Sequence, residues 1–260
     1  MSSGDGQGAS GQAGFSDPMP PPMAMRSLLP AAAAALAVLA VPASAAPPAK
    51  ASPAKAPAAK VDWTKAVTDT GKGWRMGNPK APTRLVEYGS FNCPHCAAFE
   101  KSAMPAIRKL VAAGKISFEF RPKQLFPHDP SATLLALCAG KGRVFAFTED
   151  YMANASAVLA KLRAAFKADK AAFDKAESDG PAAGSRFIAR TGEMGAIVQR
   201  HGVSAVQADQ CLGDPKLIQR VEDNENAALD AGVKSTPTFF INEKEAAPAD
   251  ITALGIPFTL

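Results

Sequence analysis

Cys93-Pro94-His95-Cys96 is the stretch of this 260-residue chain whose residue types and spacing could do chemistry. Two cysteines three apart at the start of a helix can close a small disulfide ring. The first sulfur then sits where helix N–H groups and the macrodipole favour an anion. Cys93 is therefore expected to be largely thiolate at neutral pH. Stabilising the thiolate stabilises the reduced form, which makes the disulfide more oxidising, by about 1.4 kcal/mol for each unit of pKa lowering. His95 can add a positive charge or a hydrogen bond to that reduced state.

Other chemistry uses the same pattern. A CxxC pair is half of many zinc sites, but no second CxxC or HxxxH occurs later in the chain, and His95, His128 and His201 are scattered. A c-type haem needs His directly after the second Cys, where Ala97 stands. An inert structural disulfide is the remaining alternative. His128 and His201 have no partner at a recognisable spacing and read as ordinary surface or core histidines.

The elements that must position the pair are legible around it. Thr83-Arg84-Leu85-Val86-Glu87-Tyr88, bounded by Pro82 and Gly89, reads as a strand that runs directly into the CxxC segment. Beyond it Phe99, Met104, Ile107, Leu110 and Val111 recur at roughly helical spacing until Gly114, with Pro105 predicting a kink. Ile116 to Phe120 alternates and ends at Arg121-Pro122, a second strand. From Ser131 to Ala231 the pattern is helical, in apolar stretches around Leu134 to Cys138, Val158 to Phe166 and Ile188 to Val198. Asp214-Pro215 caps a last long helix that ends at Gly232. Thr238-Phe239-Phe240-Ile241 reads as a further strand. Strand, helix, strand, a helical block of about 100 residues and strand make an α/β core with a large insertion.

Composition narrows the class. With 47% hydrophobic and 20% charged residues and only 4 Cys, the chain is no collagen-like repeat, disulfide-scaffold miniprotein or wholly disordered polymer. The net charge of +5 names no nucleic-acid partner, because Lys50, Lys55, Lys60, Lys65, Lys72 and Lys80 are spread out and acidic residues interleave elsewhere. Lys161, Arg163, Lys167 and Lys170 lie beside Leu159, Leu162 and Phe166. They read as the solvated face of an amphipathic helix, with a lipid or partner surface as the alternative.

The N-terminal region is unlike the rest. Residues 1–25 carry no positive side chain and read as disordered, or as sequence upstream of a start at Met23 or Met25. Arg26, an uncharged stretch from Ser27 through Val41 and the ending Pro42-Ala43-Ser44-Ala45 are the three parts of a secretory signal peptide. An uncleaved anchor is the alternative, but Pro30 and Pro42 interrupt any long helix, so a leader over 1–45 with cleavage after Ala45 is expected. Residues 46–60 are Ala, Pro, Lys and a single Ser, a linker with too little apolar surface to offset its ordering entropy. The folded domain is expected over 61–260.

Met76-Gly77-Asn78-Pro79-Lys80-Ala81-Pro82, Glu87 through Cys96, and Thr236-Pro237-Thr238-Phe239-Phe240-Ile241-Asn242 together resemble the DsbA-like thiol:disulfide oxidoreductases of the bacterial periplasm. The resemblance implies a thioredoxin fold with a helical domain inserted at about 129–231. It makes Cys93 the exposed nucleophile that forms a mixed disulfide with substrate, and Cys96 the buried partner that resolves it, with Pro94 and His95 tuning the pair. Pro237 would be a cis-proline facing the CxxC pair, and Thr236 would offer backbone hydrogen bonds to a bound peptide. A plain strand-entry turn is the simpler reading of Thr236-Pro237. Glu87, six residues before Cys93, matches the family's buried acid, a candidate proton relay for Cys96; a solvent-facing strand carboxylate is the alternative. With Cys93 and Cys96 as the redox pair, Cys138 and Cys211 are left to form the second bridge that some family members carry, or to remain two buried free thiols.

The chain departs from the family at its end. Relatives usually have Asn-Gly at the last hairpin and a full closing helix. Here Asn242-Glu243 stands at the turn, and Pro248 and Pro257 interrupt the segment after it, so a short final helix and a less well covered sheet face are expected.

The function so implied is a periplasmic dithiol oxidase with no metal and no cofactor beyond the Cys93–Cys96 disulfide. Its substrates would be reduced, unfolded secreted proteins, and a membrane, quinone-linked partner would re-oxidise it. Two rivals stand beside it: a disulfide isomerase or reductase of the same fold, whose relatives usually carry a separate dimerisation domain that the 46–60 linker is too short to be, and a non-catalytic metal- or peptide-binding module.

Overall fold

The structure, a computed structural model, describes residues 61–260. The leader expected over 1–45 and the linker over 46–60 lie outside the described residues.

Strand β3 (Thr83–Gly89) and β4 (Ile116–Pro122) run parallel at the centre of the sheet, with Leu85 opposite Phe118 and Glu87 opposite Phe120. A parallel pair needs a crossover, and α1 (Pro94–Ala112) supplies it. The helix buries Cys96, Phe99, Ala103, Met104, Ile107 and Val111, one stripe at helical spacing. It is one uninterrupted helix through Pro105. That residue stands on the exposed side, where the carbonyl freed four residues earlier is open to solvent. Residues of β3 alternate between two cores. Leu85 packs with Phe99, Phe118 and Phe120, whereas Val86 and Tyr88 face Ala228 and Val233.

Three strands were not apparent from the sequence. β1 (Val67–Asp69) and β2 (Trp74–Gly77) form a hairpin that pairs antiparallel with β4, and β6 (Lys244–Ala246) pairs with β5 (Thr238–Ile241), which lies antiparallel to β3. The sheet order is therefore β1-β2-β4-β3-β5-β6. The Asn242-Glu243 turn between β5 and β6 forms without glycine, both residues lying in the left-handed region at φ 48° and 71°. Asn242 is held there by Arg84, whose N–H donates to its Oδ1 at 2.8 Å.

Seven helices separate β4 from β5: α2 (Asp129–Ala139), α3 (Val144–Ala168), α4 (Lys170–Ser178), α5 (Pro181–Thr191), α6 (Met194–Arg200), α7 (Ala205–Leu212) and α8 (Pro215–Asp230). Their starts are written locally: Asp169 accepts from Ala172 N–H, Ser204 and Gln207 form a capping box, and Asp214 accepts from Lys216 N–H ahead of Pro215. The apolar stretch from Ile188 to Val198 is split between α5 and α6 by Gly192 and by Glu193, whose φ is 55°.

The last helix, α9 (Pro248–Ala253), is short as expected. The face beneath it is nonetheless covered, because Ile251 and Ile256 are buried and Phe258 packs 5.7 Å from the ring of Phe99 and 5.6 Å from that of Phe239.

Candidate active site

Cys93 is the residue that caps α1, with extended φ −81° and ψ 121°, and Pro94 comes next in the first turn. Proline has no N–H to leave unsatisfied there. His95 and Cys96 complete the turn. Pro94 and His95 are exposed, and Cys96 is fully buried. Both thiols are free.

Cys93 was expected to be exposed and is only 3% exposed. The segment ahead of β5 covers it. The Thr236–Pro237 peptide bond is cis, and the Cys93 thiol donates to the Thr236 carbonyl oxygen at 3.4 Å. Thr236 also brings a hydroxyl that is buried and has no other partner. When Cys93 ionises, that hydroxyl can turn and donate to the sulfur.

The two sulfurs titrate in opposite directions. A hydrogen bond from the Cys96 side chain, one from Thr236, and the backbone N–H groups of Cys96 and His95 together outweigh burial and bring Cys93 down to about 5. The contribution of His95 to this balance comes through its backbone N–H. Burial, the hydrogen bond to Cys93 and the charges of Glu87 and Cys93 push Cys96 far up. At neutral pH the pair thus holds one thiolate, on Cys93, and one thiol, on Cys96.

Glu87 is fully buried on the β3 face that Leu85 shares, and neither of its oxygens has a hydrogen-bond partner. A solvent-facing carboxylate is therefore excluded. Burial, and then the charges of Glu100 and Cys93, raise its pKa well above the carboxylate range. Glu100, one helical turn beyond Cys96, is a second buried, unpartnered acid, pushed up to about 8 by burial and by Glu149 against the opposing charge of Arg108. Glu87 can hold or move a proton close to the sulfurs.

Asp129 was not singled out in the sequence. It is fully buried at the start of α2 and accepts hydrogen bonds from Ser90 Oγ, from Asn92 N–H and Nδ2, and from the N–H groups of Leu125 and Phe126, at 2.8–3.2 Å. Tyr151 of α3 donates to Asn92 Oδ1 at 3.2 Å. The turn that presents Cys93 is thereby tied to the helical insertion. The one local signal at this position is an Asp-Pro pair ahead of an apolar run, which by itself indicates a helix start.

Cys138 of α2 and Cys211 of α7 are joined by a disulfide, with Cα atoms 5.9 Å apart. The bond ties α2 to α7 within the helical insertion. Among the described residues no group of three or more His, Cys, Asp or Glu side chains could hold a metal ion.

The sequence profile of the family described as Thioredoxin matches residues 69–255. The chain belongs to the thioredoxin family. This thioredoxin-family chain is 27% identical over 169 residues to a Rickettsia typhi protein that carries the provisional name protein-disulfide oxidoreductase, covering 64% of this chain and 53% of that one. The chain spans about half the length of the curated relatives it matches. Among solved structures, the protein-disulfide isomerase from Novosphingobium aromaticivorans is 25% identical with a TM-score of 0.62, over 69% of this chain and 93% of that one. A single-residue variant of Wolbachia pipientis alpha-DsbA1 is 20% identical with a TM-score of 0.50, over 64% and 73%, a likeness of fold. The expected thioredoxin-like α/β fold with helices inserted is the fold of this chain.

Proposed function

We propose that the protein is a thiol:disulfide oxidoreductase that introduces disulfides into reduced, unfolded secreted proteins. The observation that carries this reading is the Cys93 sulfur at the start of α1, held as a thiolate down to about pH 5 beside a buried, protonated Cys96. Stabilising the thiolate stabilises the reduced pair and makes the Cys93–Cys96 disulfide a strong electron acceptor.

In the reaction a substrate thiolate attacks Cys93 Sγ, the Cys93–Cys96 bond breaks, and Cys96 leaves and takes a proton, for which Glu87 is the nearby source. A second substrate thiolate then attacks its partner's sulfur in the mixed disulfide and releases the Cys93 thiolate. The substrate loses two electrons and gains a disulfide, and the CxxC pair is left reduced. The substrate chain would meet Cys93 at the seam beside Thr236 and cis-Pro237. A membrane, quinone-linked partner would remove the two electrons.

A periplasmic setting is supported by the leader read over residues 1–45 and by the Cys138–Cys211 bond, since such bonds persist in oxidising compartments. Among the described residues no helix is long and apolar enough to cross a membrane.

The likeness to the Novosphingobium isomerase favours a second reading, the reshuffling of wrong disulfides by the reduced Cys93 thiolate. Two assays separate the alternatives. Equilibration of the CxxC pair with glutathione is expected to give a potential far above the roughly −270 mV of a cytosolic reductant, and a value that low sinks the oxidase reading. Stoichiometric oxidised protein should convert a reduced test protein to its disulfide form faster than catalytic reduced protein rescues a scrambled one; the reverse order selects the isomerase.

A further inference from the structure

A cavity of about 880 Å³ opens into the helical insertion between α2, α3, α4, α5 and α8, away from Cys93 and Cys96. Its walls are apolar, with Leu134, Leu162, Phe166, Phe173, Phe187 and Val221 among them. Phe166, Phe173 and Phe187 form an edge-to-face row with centroids 5.2 and 4.9 Å apart, and the row does not close over the opening, since Phe166 is 45% exposed. Small-molecule sites typically enclose about 300–1,000 Å³ with apolar walls and a few convergent polar groups.

The polar groups here are concentrated around His128, Gln124 and Arg163. His128 Nε2 and Gln124 Oε1 are buried from water and have no hydrogen-bond partner in the protein, although both residues line the cavity. Leaving two buried polar atoms unpaired costs about 1–3 kcal/mol each, a cost that a ligand's polar end would relieve once these side chains turn toward the open volume their residues line. Arg163 also lines the cavity, lies near enough to His128 to disfavour charge on its ring, and has no ion-pair partner among the described residues.

We propose that this cavity binds a long-chain monocarboxylic acid of the fatty-acid type, its chain along the phenylalanine row and its carboxylate at Arg163, His128 and Gln124. The carboxylate accepts from the Arg163 guanidinium and, once the His128 ring turns its Nε2–H toward the open volume, from that N–H as well. Gln124 Nε2 now donates to Thr133 Oγ1 at 3.3 Å; a half-turn of the amide turns its NH2 toward the ligand and lets the Thr133 hydroxyl donate instead.

The acids on the rim do not oppose this placement. Asp174 is paired with Lys170, and Glu225 with Lys123 and the Gln124 N–H. Glu177 and Glu222 are exposed, where solvent and salt screen them. The alternation of Lys161, Arg163 and Lys167 with Leu159, Leu162 and Phe166 is thus one helix serving both solvent and a ligand. The site is separate from the redox chemistry and stands whether the protein is an oxidase or an isomerase.

Calorimetric titration of the full chain with sodium laurate below its micelle concentration is expected to show saturable one-to-one binding, with dodecyltrimethylammonium at least tenfold weaker. Arg163→Gln, an exposed change, should weaken laurate at least tenfold and leave the cation unaffected. Gly184→Leu adds bulk to a cavity-lining position where a Cβ would meet only the Ala176 carbonyl, at 3.4 Å, and should abolish binding while circular dichroism stays native. Absence of laurate binding, equal or tighter binding of the cation, or laurate affinity untouched by Arg163→Gln overturns the proposal.

Discussion

Cys93 Sγ lies 3.4 Å from the carbonyl oxygen of Thr236, the residue that precedes cis-Pro237, although the two are 143 positions apart in the chain. One residue thus offers the sulfur an acceptor when it is a thiol and a hydroxyl donor when it is a thiolate. The close approach also buries Cys93, so a substrate sulfur must enter beside Thr236.

Thr236→Val keeps the shape and the carbonyl and removes the hydroxyl. A hydrogen bond to a charged group contributes about 1.5–3 kcal/mol, so the Cys93 pKa should rise from about 5 by roughly one to two units. The pH dependence of iodoacetamide alkylation measures it, with a wild-type midpoint near 5. An unchanged midpoint in the variant would remove the hydroxyl from the account. Because the folded-state value lies below the ordinary 9.0, the thiolate's contribution to stability of the reduced protein is complete above pH 9 and is lost as pH falls toward 5.

Glu87→Gln tests the buried acid. The carboxyl's folded-state pKa is raised, so the wild type loses stability as pH climbs above the ordinary value near 4.5, and the amide does not. In urea titrations the variant should match wild type below pH 4 and become progressively the more stable of the two as pH rises to 7. If Glu87 supplies the Cys96 proton, formation of the mixed disulfide from the oxidised protein should also slow in the variant; equal rates would leave Glu87 without that role.

Asp129→Ala strips the acceptor from Ser90, Asn92, Leu125 and Phe126 together. Unpaired buried donors make this expensive, and a loss of about 3 kcal/mol is expected by chemical denaturation. Because Asn92 adjoins Cys93, alkylation of Cys93 should also become faster at a given thiolate fraction as the covering turn loosens. A loss below about 1 kcal/mol would show that the turn is held by other contacts.

Replacing Cys138 and Cys211 by Ala opens a loop of 73 positions. Chain entropy assigns the bond about 4 kcal/mol as an upper value, so the midpoint of unfolding should fall markedly while the Cys93 alkylation profile stays in place. A shifted profile would mean that the bridge reaches the redox site.

The residues show how far a linear reading goes. Cys93-Pro94-His95-Cys96 and the helix behind it are local, because a helix start, its cap and its apolar stripe lie within one stretch of chain, and the sequence by itself determined them. It also determined the order strand, helix, strand, helical block and strand, since each period is written within a dozen residues or so. Strands β1, β2 and β6 escaped it because each has only three or four residues and is defined by its partner across the sheet. Only the tertiary structure decided that Glu87 faces inward and that Thr236 covers Cys93. It alone showed Asp129 collecting the donors of two separate segments, Ser90 to Asn92 and Leu125 to Phe126. Burial and hydrogen bonding between residues tens of positions apart depend on how the elements pack, and it is that packing that moves the two cysteines' titrations apart.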